Sequence, residues 1–166
     1  MGADIHIYAE RKLKDGTWAM CKTYESQKGT VFDDPRLEPD AYGRLFYRAR
    51  SRNYSFFAAL AGVRGDGPAH KGFPGDASPL VREEFDGWGA DSHSPSFYSA
   101  REFVPIFVEH WLTEAERSEL VADKLDDSSY PLVAQVLEHY LGLSVPYDDN
   151  NQPDVDRLRF VFWFDN

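Results

Sequence analysis

The chain contains the same short spelling twice: a small residue, then an aspartate, then a histidine two places on, as Asp4 and His6 in MGADIH and as Asp91 and His93 in WGADSHSPSFY. Imidazole and carboxylate together are a donor set for a divalent metal. When the carboxylate orients the ring, they are equally a pair for proton transfer. If Asp4 and His6 share a strand, their side chains leave the same face with bases roughly 6–7 Å apart. Asp91 and His93 fall among Gly, Ser and Pro, which predicts a turn and leaves their geometry open. A single D-x-H spacing is weakly specific, because acids start strands and histidines bond to turn backbones for purely structural reasons. The repetition among five histidines is what raises a site.

A second group of residues suits an anion. Arg44, Arg48, Arg50, Arg52, Arg64, His70, Lys71 and Arg82 fall within residues 44–82, whereas acids dominate 114–127 and 148–156. The stretch RGDGPAHKGFPGDAS, residues 64–78, carries four glycines and two prolines. Glycines let backbone amides approach an anion, and Arg64, His70 and Lys71 supply positive charge, the ingredients of phosphate recognition. A solvated basic loop is the competing reading. The spacing is not that of the G-x-x-x-x-G-K-[ST] phosphate loop. Arg52 and Asn53 precede an aromatic run, and Tyr54, Trp88 or Phe97 could stack on a base. Ser94 beside His93 lacks the G-x-S-x-G elbow of serine hydrolases. No G-x-G-x-x-G follows a strand, and the acidic runs near 125–129 and 148–156 lack the EF-hand register.

The elements that must position these groups follow from periodicity and punctuation. DIHIYAER alternates, with Ile5, Ile7 and Ala9 facing one way and Asp4, His6, Tyr8 and Glu10 the other. LKDG turns the chain and TWAMCKTYE continues as a strand, so residues 4–24 predict an antiparallel hairpin. Residues 25–47 read as loop with one short strand. Asn53 or Ser51 caps a buried helix through YSFFAALAGV that exits at Gly62. Ser78 and Pro79 open a helix in SPLVREEFDGW ending at Gly87 or Gly89. Ser99 with Glu102 and Thr113 with Glu116 spell capping boxes, and SYPLVAQVLEHYLG stops at Gly142. RLRFVFWFDN predicts a central or next-to-central strand with Leu158, Phe160, Phe162 and Phe164 on one face. The sum is one α+β domain over residues 1–166: a small antiparallel sheet with the N-terminal hairpin beside the C-terminal strand, packed by several helices, with long loops.

Composition bounds the function. A net charge of −10 argues against direct binding to nucleic acid, which needs a basic surface. No apolar run is long enough to span a membrane and no signal peptide is spelled, so the expectation is a cytoplasmic protein. Cys21 stands alone and reads as a buried thiol.

GADIHIYAE, RNYSFFAALAGVRG, KGFPGDAS, WGADSHSPSFYSAREF and FVFWFDN, in that order, resemble a family of small bacteriophage and prophage proteins. The resemblance covers roughly half the chain and brings no established activity. It implies work in an infected bacterial cytoplasm and, by analogy, counter-defence. Three functions stand at this point. The first is capture of a small anionic ligand, most naturally a nucleotide signal, by Arg52, Asn53, Arg64, His70, Lys71, Trp88 and Ser94. The second is cleavage of such a ligand by Asp4, His6, Asp91 and His93, with or without a divalent metal. The third is inhibition of a host protein by an acidic surface.

Overall fold

The computed structural model describes residues 2–21, 44–45, 52–123 and 132–166. The alternating start of the chain forms β1 (Asp4–Lys12), which turns at Gly16 (φ 86°) into β2 (Trp18–Met20). Asp15 fixes the turn by accepting from both the backbone N–H and the hydroxyl of Thr17. A two-residue strand, β3 (Arg44–Leu45), also pairs with β1. The rest of residues 22–51, with Arg48, Arg50 and Ser51, lies outside the described residues, as do residues 124–131.

The C-terminal β5 (Leu158–Asp165) runs antiparallel to β1 in a register from Asp4 opposite Asp165 to Arg11 opposite Leu158. Its other edge pairs with β4 (His93–Ser99), giving the order β2-β1-β5-β4. The hairpin therefore lies beside the last strand, as the α+β reading expects. WGADSHSPSFY, however, is more than a turn. After one 3-10 turn at Gly89–Asp91 it enters β4 at His93, with a bulge between His93 and Ser96 where Ser94 takes φ 49°. The bulge interrupts the alternation that would have marked a strand.

Asn53 caps α1 (Tyr54–Ala61) by accepting from the Phe56 N–H at 3.0 Å, and Gly62 (φ 67°) ends it. Then α2 (Pro79–Trp88) has proline in its first turn and Gly89 at its C-cap. The Ser99–Glu102 box opens α3 (Ala100–His110), and Thr113 with Glu116 opens α4 (Glu114–Asp123). Finally, α5 (Leu132–His139) stops before Gly142 (φ 64°).

Successive β5 side chains go to opposite faces, and both faces are covered. Leu158, Phe160, Phe162 and Phe164 join Ile7, Phe56, Phe103, Phe107 and Leu137 under α1, α3 and α5. On the reverse face Tyr8, Val161 and Trp163 pack under Val81, Phe85 and Trp88 of α2 and under Phe73. The second layer buries the polar side of β1, leaving His6 at 2% and Glu10 at 0% exposure.

The segment 64–78 is bound at three places. Gly67 packs so tightly on α1 that a Cβ there would collide with the Ala58 carbonyl oxygen. Gly72 N–H donates to Pro95 O and Lys71 N–H to Ser96 Oγ, so the segment runs along β4. Asp76 and Ser78 reach Arg159 and Glu10. At Gly67 the missing side chain serves close packing on a helix.

Candidate functional site

The antiparallel register brings the start of β1 and the end of β5 to one end of the sheet, with the start of β4 beside them. There Asp4 and Asp165 are cross-strand partners, a like-charge pairing that needs compensation. Each carboxylate has its own. Arg52 holds Asp4 bidentately, Nε to Oδ1 at 2.8 Å and Nη2 to Oδ2 at 3.0 Å. The hydrogen bonds and charge of Asp4 push the guanidinium pKa above its ordinary value. Gly2 makes this possible, since a Cβ at that position would strike the Arg52 guanidinium. His6 holds Asp165 through Nε2 and Oδ2 at 3.1 Å, and Asp165 Oδ1 accepts the Asp4 backbone N–H.

The His6 ring lies between two tryptophans, with Trp88 at 4.1 Å and tilted by 48°, and Trp163 stacked at 5.7 Å. Tyr8 continues the stack on Trp163 and donates its hydroxyl to Glu84. The product is a buried imidazole oriented by a carboxylate, with an exposed arginine–aspartate pair at its rim.

His93 does not join this group. It pairs with Phe164 and stacks on it at 5.9 Å, whereas His6 pairs with Trp163. Opposed residues of an antiparallel ladder share a face and neighbours along a strand do not, so the two histidines occupy opposite faces of the sheet. Asp91 is exposed in the preceding 3-10 turn. The expected metal site joining the two D-x-H segments is therefore not formed. Among the described residues no group of three or more His, Cys, Asp or Glu is placed to hold a metal ion. His93 Nδ1 contacts Ser94 Oγ at 3.1 Å, and its buried Nε2 has no hydrogen-bond partner among the described residues.

The expected anion ligands also disperse. Arg52 is engaged by Asp4. Asn53 is spent on the α1 cap and on donating to His110 O at 2.7 Å. Lys71 lies over the Tyr98 ring at 4.3 Å and pairs with Glu102 at 2.9 Å. Burial would raise the Glu102 carboxyl, but hydrogen bonds from Lys71 and Ser99 hold it below its ordinary value. Arg64 (φ 62°) and His70 are exposed on the 64–78 segment. Of the expected residues, Asp4 and His6 meet Asp165, Arg52 joins them through Asp4 and Trp88 through His6.

Glu10, Asp76, Arg159 and Asp165 were missed. Arg159 Nε donates to Glu10 Oε2 at 2.6 Å and Nη1 to Asp76 Oδ1 at 2.8 Å, while its guanidinium covers Trp18 at 4.0 Å. Ser78 N–H donates to the other Glu10 oxygen at 2.6 Å, tying the end of the 64–78 segment to the sheet. The signal for Asp165 was present in the pairing of first and last strands, which sets the beginning of one against the end of the other.

No protein-family model matches the chain, and no curated protein or solved structure shows significant similarity to it.

Proposed function

We propose that the chain is a His/Asp acid–base enzyme working at the sheet end where β1 begins and β5 finishes, on a small phosphate ester, foremost a nucleotide. The observation that carries the reading is the contact of the buried His6 Nε2 with the partly exposed Asp165 Oδ2 at 3.1 Å. A carboxylate that fixes an imidazole prepares it to carry a proton to or from a reacting group, a contribution of about 10²–10⁴-fold in rate. In hydrolysis the imidazole takes a proton from the attacking water as the new O–P bond forms. The departing oxygen takes a proton from solvent as the old bond breaks, and the imidazolium then returns its own proton to water. Arg52 supports the phosphate assignment, because both members of its pair with Asp4 are about half exposed and the fork can change partners at little cost. In the phage setting that the family resemblance implies, the ester would be a nucleotide signal of the host.

Incubation with a panel of cyclic and linear nucleotides, followed by denaturation and chromatography, tests the proposal. The expected result is product with the native chain and a fall of at least about 10²-fold in His6→Gln and Asp165→Asn. Recovery of intact nucleotide, with heat of binding in titration calorimetry, would replace catalysis by sequestration. Intact nucleotide without heat would overturn both.

A second reading is favoured by how the basic side chains are used. Arg52, Lys71, Arg101 and Arg159 each pair with an acid of the same chain, whereas Glu83, Asp86 and Asp91 stand exposed along α2 and the turn after it. That surface suits a basic face of a host protein. This reading expects a salt-sensitive complex in a pull-down from host lysate that His6→Gln leaves intact.

A further inference from the structure

We infer that Trp88 is a hinged lid over His6, and that its outward swing admits a planar, base-bearing ligand onto the imidazole. The inference rests on the reading of His6 as the working group. A ring exposed by 2% meets no ligand unless a neighbour moves, and the two tryptophans against it differ. Trp163 is fully buried, stacked on Tyr8 at 5.2 Å and met edge-on by Phe85 at 5.3 Å, so it is fixed in the core. Trp88 is the last residue of α2, half-buried, and stands between Gly87 and Gly89.

Neither glycine serves packing, since a Cβ at either would meet nothing within 4 Å. Gly89 holds φ 50° and ψ −125°, a backbone region that side-chain-bearing residues avoid. Gly87 gives the helix end conformational freedom that alanine would remove. Gly89 is itself held within its turn, its N–H donating to Asp86 O and its carbonyl accepting from Ser92 Oγ at 2.8 Å. The bend point that remains is Gly87, directly before the tryptophan, the position of a short hinge. The wall left behind carries an unmet donor: Trp163 Nε1 is buried without a hydrogen-bond partner among the described residues. An acceptor on the edge of a heteroaromatic ring would satisfy it.

The test measures access to His6 in the full chain without ligand. Carbethoxylation of His6 by diethyl pyrocarbonate is followed by mass spectrometry and normalised to the exposed His70. Removing the lid in Trp88→Ala is expected to raise the His6 rate at least about tenfold if opening limits access. Stiffening the hinge in Gly87→Ala is expected to lower it about two- to fivefold, because the methyl has room and only backbone freedom is lost. A Gly87→Ala rate equal to that of the native chain overturns the lid, even if Trp88→Ala perturbs the fold. No substrate enters the measurement, so a lid that fails while nucleotide is still turned over leaves the enzyme reading standing. A lid that holds without turnover leaves the gate and removes the reaction.

Discussion

His6 and His93 stand on opposite faces of one sheet, each stacked on one of two successive residues of β5, Trp163 and Phe164. Among the described residues the two rings share no polar partner: His6 holds Asp165, and His93 contacts Ser94. The losses in His6→Ala and His93→Ala should therefore add in the double variant to within about 0.5 kcal/mol, as for independent sites. Urea denaturation of the four proteins checks this. A coupling above about 1 kcal/mol would place both rings in one network.

Two glycines give opposite predictions for the same substitution. Gly67 lies against the Ala58 carbonyl oxygen, so Gly67→Ala forces backbone apart and should cost about 1–3 kcal/mol, the range for overpacking. Gly87 is helical with open space around it, so Gly87→Ala should stabilise by about 0.5–1 kcal/mol. Melting temperatures moving in opposite directions are the expected outcome. A drop for Gly87→Ala would mean that its Cβ position is occupied in solution.

What the sequence carried openly were features decided within a few residues. Asn53, the Ser99–Glu102 box and Gly62 mark helix ends through contacts with their own turn, and LKDG closes its hairpin locally. The faces of β1 and β5 were also legible from alternation, but the fate of the polar face was not. Whether His6 and Glu10 meet water depends on α2 packing from more than 60 residues away, as the Ser78–Glu10 contact at a separation of 68 illustrates. The partners Asp165 and Arg159 lie 159 and 149 residues from theirs and follow only once the strand register is known. At His93–Ser96 the difficulty was local, because a bulge with a positive φ at Ser94 hides a strand behind turn-like residues.

Cys21 follows β2, and its backbone N–H donates to Ala9 O while its side chain packs against the larger core. Burial pushes its thiol from 9.0 up to about 11, so the reactive thiolate is scarce at neutral pH. Alkylation by iodoacetamide should be slow at neutral pH in the native chain and become fast in urea. The raised value also sets a sign: stability from this group is full below 9.0 and is lost as pH rises toward about 11, because the unfolded chain gives up the proton first. Cys21→Ala should flatten that alkaline decline. An equally steep decline in the variant would assign it to other groups.

The buried Glu10–Arg159 pair should weigh heavily in stability at neutral pH. Neither side chain is more than 8% exposed, and removing one partner strands a buried charge, so Arg159→Met should cost about 3–5 kcal/mol at neutral pH. The double variant Glu10→Gln, Arg159→Met should recover part of that loss, since no net charge is then left without its partner. Asp76 completes the network, and the hydrogen bond from Arg159 holds its carboxyl below the ordinary 3.8 despite some burial. A depressed carboxyl stabilises the fold above its unfolded value and loses that contribution as pH falls through the folded one. Asp76 is two-thirds exposed, so its own share is small; the larger effect is loosening of the 72–78 segment from Arg159. Urea midpoints from neutral pH down to about 3 should decline less in Asp76→Asn than in the native chain, with the difference opening only below about 4. Parallel curves would mean that the Asp76 carboxylate exchanges Arg159 for water without cost.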